Sequence, residues 1–480
     1  MGGTGFTRRK AVKSMGALGA FAALGTGEAT AEETLAAQTP PAGIQKARQA
    51  IFDKVNSTPL IDTHEHLPDE SRRLAGGQGK TQADDWSVLL HHYLDSDLRT
   101  AGMPQTSYDR FFAAGVDPVE KWKLLEPYWP AVKNTGYGLA VRIAMRELYD
   151  VPDLAAETVE KVQAKYVEVR RTGFYKHILQ DMAKIESCQV NSLGEPFGRT
   201  DMPALLMQDL SIVGMFAGPS IGQFAGPTGI KVQTLSDWHK VIDWWFHKYG
   251  PLAVAVKSQD AYGRDIDYDR VDADKVEHVF KMRLDDAAIS PADRKALEDH
   301  LFWYAVGRAT EFRLPVKLHT GYYAGDNYMP LERLGCNPGS ACRLCREAPD
   351  TRFVFMHIGY PYYEEMIAVA KHYTNAYLDM CWAWIINPVA AKDFLKKYLV
   401  TAPANKILTF GGDYVPVEPV LGHAMIARRG IALALSELVE EGWIGLDDAM
   451  ALVDPIMHAN ARKIFDVENK SRALQQAKWT

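Results

Sequence analysis

Cysteine is scarce in this chain: Cys188, Cys336, Cys342, Cys345 and Cys381 are five in 480 residues. So small and odd a number excludes a disulfide framework that stands in for a core. Charge of one sign is missing too. Lys and Arg number 54 against 60 Asp and Glu, a net charge of −6, and no basic stripe runs along the sequence, so a nucleic-acid groove has no electrostatic basis. Beyond the N-terminal region no stretch approaches the roughly 20 apolar residues of a membrane-spanning helix, so no anchor is expected in the mature chain. What is present is a composition of 47% hydrophobic and 24% charged residues, enough to bury a large globular core. The expected partner is a small molecule, and the chain could also form a homo-oligomer.

The first residues read as an export signal, 1–31, followed by a Thr/Gln/Pro-rich linker, 32–43. Arg8 and Arg9 form a pair, a small apolar segment runs from Met15 to about Gly25, and Ala29-Thr30-Ala31 offers a small-residue cleavage site. The segment resembles a twin-arginine signal, although Ala11 stands where a bulky apolar residue is usual. That implies a periplasmic or secreted protein, moved across the membrane already folded. The mature domain is 44–480.

Within it, short apolar runs recur: "STPLIDTHEH" (57–66), "ESCQVNSL", "ALLMQDLSIV", "LAVAVKS", "LPVKLHT", "RFVFMHIG", "NAYLDMC" and "KILTFGGD". Between the first and second lies a stretch, about 67–183, whose apolar residues fall at helical spacing, a helical insertion after strand one. Eight strands rich in Val, Ile, Leu and Phe, the later ones alternating with helices, predict an α/β fold with a parallel sheet, a TIM-type (β/α)8 barrel. Polar residues stand at the C-terminal ends of these runs. His64 and His66 close the first, Lys257 the fourth, His319 the fifth, His357 the sixth and Asp413 the eighth. In a barrel those ends converge on one mouth. Strand side chains alternate, so His64 and His66 point the same way and can grip one ion.

The order H-x-H, Lys, His, His, Asp resembles the metal-dependent amidohydrolase superfamily. "VKLHTGYYAGDN", "FMHIGYPYYEEMIAVAKHYTNAYLD" and "VKSQDAYGRD" look closest to the branch fused to glutamine synthetase-like domains, and more distantly to uronate isomerases. The resemblance implies a divalent metal, zinc with manganese as the alternative, as one or two ions. It implies His64 and His66 as ligands, with Asp413 as a further ligand and the catalytic base. His319 and His357 would complete a second ion position if Lys257 is carbamylated into a bridging ligand; otherwise they serve a single-ion site as ligand and electrophile, and Lys257 meets a substrate carboxylate. Both readings of Lys257 stay open. The implied activity is hydrolysis of an amide or ester bond in a small polar, carboxylate-bearing substrate. The alternatives are a uronate-like isomerase, a non-hydrolytic lyase or decarboxylase, and a barrel that only binds.

Tyr262, Arg264, Asp326 and Asn327 lie just past the ligand strands, on loops at the mouth. Arg264 could pair with a substrate carboxylate and Asn327 with a hydroxyl or carbonyl. Trp382 and Trp384 follow the seventh run and could line the mouth. His92 and the other histidines outside the pattern are read as structural or surface residues. For Cys336, Cys342 and Cys345 a structural zinc site lacks a fourth ligand, so a disulfide between two of them after export is the expectation.

Overall fold

The computed structural model describes residues 42–76, 84–216, 221–285, 287–326 and 328–477. The export signal and most of the linker lie outside them. Residues from Lys46 onward form one compact unit.

Among the described residues, nine parallel strands surround the core: β1 (Leu60–Glu65), β2 (Ile185–Val190), β3 (Leu206–Gln208), β4 (Leu210–Ser211), β5 (Val256–Ser258), β6 (Val316–Leu318), β7 (Phe353–Phe355), β8 (Ala376–Asp379) and β9 (Ile407–Leu408). They form two ladders, β1-β2-β3 and β4 through β9 in sequence order. Backbone hydrogen bonds join the ladders at both seams. At one, β3 and β4 are pieces of a single run: Asp209 N donates to Val190 O on one side and Leu210 N to Ala255 O on the other, each at 2.9 Å. At the other, Thr63 N donates to Phe410 O at 3.0 Å and Asp413 N to His64 O at 2.8 Å. The eight-unit barrel expected from the sequence is thereby borne out, with the third run broken at Asp209.

The strands are short and buried along their length, as in a parallel sheet covered by helices on its outer face. Three of those helices, Leu235–Tyr249, Pro291–Glu311 and Pro388–Leu399, begin on side-chain caps that the sequence supplies locally. Thr234 and Asp237 close a capping box at the start of Leu235–Tyr249, and Ser290 caps Pro291–Glu311. The stretch 67–183 is helical where described and sends Trp86, Tyr93, Trp129 and Tyr137 into the core. Arg73 holds it in place from within, paired with Asp84 at 2.5 Å and with Glu418 at 3.0 Å, five residues after Asp413. Burying an arginine demands such pairing, because its charge cannot be shed.

All five cysteines are free thiols, so the disulfide expected among Cys336, Cys342 and Cys345 is not formed. Cys336 is exposed at the start of the helix Asn337–Glu347, whereas Cys345 is buried on it, which puts them in opposite environments.

Candidate metal centre

The end of β1 turns His64 and His66 to the same side, and the segments after the later strands are bent to meet them. His357 (φ 61°), Trp382 (φ 63°) and Asp413 (φ 63°) follow β7, β8 and β9 in the left-handed region, uncommon for residues with a side chain. Such strain at three neighbouring strand ends marks a place where side-chain direction matters more than backbone comfort.

On one side of the mouth, His64 Nε2 and His66 Nε2 lie 3.3 and 3.2 Å from Asp413 Oδ1. His66 Nδ1 is 2.7 Å from the carbonyl of Asn191. A carbonyl only accepts, so Nδ1 carries a proton, and in the neutral ring Nε2 turns a lone pair toward the carboxylate oxygen. A cation between those two acceptors would satisfy both. Two ligand atoms bound to one zinc at about 2.1 Å lie roughly 3 to 3.5 Å apart at near-tetrahedral angles, which is the spacing here.

Across the mouth the same logic recurs. His319 Nε2 contacts Tyr322 O at 2.9 Å and His357 Nδ1 contacts Cys381 O at 2.9 Å, so both of these nitrogens are N–H. That leaves His319 Nδ1 and His357 Nε2 facing each other at 3.0 Å as two lone pairs. Burial keeps both rings neutral: His357 is brought down to about 4 and His319 well below its ordinary value, so a proton does not relieve the contact near neutral pH. The Cys381 thiol also lies close, with one ligand atom each of His357, Cys381 and Asp413 within 4.8 Å of one another. Burial pushes that thiol well up, so it stays protonated.

Lys257 enters between the two sides. Its Nζ has Met356 Sδ, at 2.9 Å, as its hydrogen-bond partner, a poor one for an ammonium. Burial lowers it to about 8, against the pull of Asp413. For Asp413, burial works to raise the carboxyl, but His64 and His66 outweigh it and hold it well below the usual carboxylate range.

Aromatic rings wall the centre. Tyr93 stacks between Tyr137 and Trp382, at 5.2 and 4.9 Å, and donates its hydroxyl to Asp413 O at 2.6 Å. Trp382 sits edge-on to His357 at 5.2 Å, with its indole N–H buried and unpartnered among the described residues. Trp384 packs behind, bonded to Thr409 O at 2.8 Å.

Of the substrate contacts expected from sequence, Tyr262 comes to the centre: its ring lies 4.6 Å from His319, and its hydroxyl accepts from Ala324 N at 3.0 Å. The structure does not bring Arg264 there. Its guanidinium is held by Asp299 at 2.5 Å, Glu298 at 3.2 Å and Asp267 at 3.4 Å, so its charge is already met within its own loop and the neighbouring helix. Asp326 pairs with Arg99 at 3.3 Å on the rim, and Asn327 lies outside the described residues.

Four residues outside the strand-end pattern are assembled here by the fold. His92 is one, with its ring 5.8 Å from His66 and a buried Nδ1 without a partner among the described residues. The others are Cys381, Asp209 and Lys317. The last two stand alone as charges inside apolar runs, and Lys317 lies two residues before His319, on the same side of its strand; that was a readable signal.

Fold and centre together describe a parallel α/β barrel with a candidate ion site at its mouth, and comparison with known proteins shows what the chain resembles. Residues 270–467 match the amidohydrolase family model, which bears out the resemblance seen in the sequence. The fluG protein of Emericella nidulans is 26% identical over 244 residues, 48% of this chain and 28% of that protein, so the likeness spans under a third of its length. Among solved structures, a uronate isomerase from Thermotoga maritima has a TM-score of 0.69 at 15% identity, covering 88% of this chain and 97% of that one. A glucuronate isomerase from Caulobacter crescentus has a TM-score of 0.68 at 16% identity, covering 90% and 96%. A candidate metal-dependent hydrolase from Lactobacillus casei has 0.61 at 15%, covering 88% and 98%. At these identities the likeness is one of fold.

Proposed function

We propose that this chain is a metal-dependent hydrolase that cleaves an amide or ester bond in a small, carboxylate-bearing substrate. The observation that carries the reading is the pair of acceptor-to-acceptor contacts, His66 to Asp413 and His319 to His357. Zinc fits them, since imidazole and carboxylate donors at this spacing are its usual ligands. When bound, the ion supplies a Lewis acid that polarises a carbonyl and acidifies a water.

The chain's own groups supply the rest. Asp413, ionised and within reach of both sides, takes a proton from the attacking water at an Oδ atom and returns it to the leaving group. His319 and His357 orient what lies between them through the carbonyls of Tyr322 and Cys381. Lys257, a buried cation or amine with a poor partner, and the free indole N–H of Trp382 favour an anionic oxygen in the pocket. The packed rings of Tyr93, Tyr137 and Trp382 exclude bulk water from it.

A second reading, isomerisation or another carbonyl-polarising reaction, is favoured by one feature. His92, buried neutral at about 3, offers a second proton-transfer group beside His66. A screen of zinc-reconstituted protein against N-acyl amino acids, lactones and uronates separates the two: hydrolysis products support the leading reading, and a product of unchanged mass overturns it. We also propose twin-arginine export, on the Arg8–Arg9 pair. Changing both to Lys should keep the protein in the cytoplasm, and unchanged export would reject that route.

A further inference from the structure

Beneath the centre lies a buried ion pair for which the mechanism above has no use. Lys317 Nζ, on β6, and Asp209 Oδ2, between β3 and β4, are 2.5 Å apart and both side chains are fully enclosed. The ammonium also donates to Thr63 O at 2.7 Å and to Gln189 Oε1 at 3.1 Å. The ammonium thus meets oxygens on β1 and β2 by hydrogen bonds and the β3–β4 run as an ion pair. Asp209 Oδ2 in turn faces His64 Nδ1 at 3.7 Å, while Nε2 of the same ring faces Asp413. At 3.7 Å the contact is electrostatic and not a hydrogen bond.

Taking two charges out of water is expensive, and an apolar pair of the same volume is often no less stable. A buried pair here is therefore weak evidence of a stabilising role, and its place directly behind His64 points to another. We propose that Asp209 and Lys317 are positioning residues for the ion site at His64, His66 and Asp413. Lys317 pins the Thr63 carbonyl and with it the end of β1. Asp209 sets a negative charge behind His64, so that Nδ1 keeps its proton and Nε2 keeps its lone pair toward Asp413. A carboxylate behind a ligating imidazole also strengthens its far nitrogen as a donor. The inference rests on the reading of His64, His66 and Asp413 as ion ligands.

The test is the double change Asp209→Leu with Lys317→Met in the full chain, which replaces the pair by apolar side chains of similar size. Zn²⁺ affinity is read by competition with a chromophoric chelator, and ligand geometry by the absorption band of the Co²⁺-loaded protein. The ion-free variant should unfold near the wild-type temperature, yet bind Zn²⁺ about 10- to 100-fold more weakly, with a shifted Co²⁺ band. Asp209→Asn alone leaves Lys317 an oxygen and should move both readouts the same way, so it decides the matter if the double variant does not fold. Wild-type affinity and an unchanged band in a folded variant would overturn the inference alone. A wild type that takes up no Zn²⁺ would overturn it together with the ligand reading beneath it.

Discussion

The two sides of the barrel mouth face the same electrostatic problem with different parts. On the β1–β9 side, a carboxylate oxygen meets two imidazole nitrogens, and the groups behind them, Asn191 O and Asp209, hold the rings in the ligating tautomer. On the β6–β8 side, two imidazoles meet each other, locked by Tyr322 O and Cys381 O. The extra groups there, a protonated Cys381 thiol and a Lys257 ammonium, donate when an ion would need acceptors. The first side therefore presents the donor set of an ion site as the side chains stand. The second offers two acceptor nitrogens, and a carbamylated Lys257 would add the oxygens of a fuller site.

The largest effect should come from breaking the first side. His64→Asn removes a ligand without a replacement of similar reach, so bound metal and turnover should vanish together, as read by elemental analysis beside an activity assay. Asp413→Asn should separate the two: the amide keeps a coordinating oxygen but cannot take a proton. Most of the metal should stay while turnover falls on the order of 10²- to 10⁴-fold. Near-normal turnover at full occupancy would leave Asp413 a ligand only.

Lys257→Met probes the second side. A carbamylated Lys257 predicts two ions per chain in the wild type and fewer in the variant, since a thioether does not bridge borderline ions. One ion in both proteins would make Lys257 a substrate contact, with its effect on KM instead. The smallest effect concerns pH in the ion-free protein. Burial depresses His357 to about 4 and His92 and His423 to about 3, so the unfolded chain binds these protons first. Their contribution is present above an unfolded value of about 6.5 and is lost as pH falls toward about 3. The unfolding temperature should drop over that window, and bound zinc should blunt the drop down to the pH at which it dissociates.

The barrel was readable because its strands alternate with helices and end in polar residues; one face of β1 announces His64 and His66 by spacing alone. What stayed hidden depends on distance across the fold. His92 sits in a helical insertion whose path over the mouth no local pattern encodes, and only the fold sets it beside His66. Arg264 depends on distance in the same way: its position after a ligand strand suggests a substrate contact, while Glu298 and Asp299, on a helix some 35 residues on, already pair with it. The count of ions stayed open in the sequence and turns on one lysine whose covalent state no residue pattern reveals.

The central claim is that paired acceptors in the mouth mark where ions sit. Its most direct test is anomalous diffraction at the zinc edge from crystals of the full chain grown with Zn²⁺. A peak about 2.0 to 2.2 Å from His64 Nε2, His66 Nε2 and an Asp413 oxygen is the predicted result. A fully zinc-equilibrated crystal with no peak there, and His66 still donating Nδ1 to Asn191 O, would contradict it.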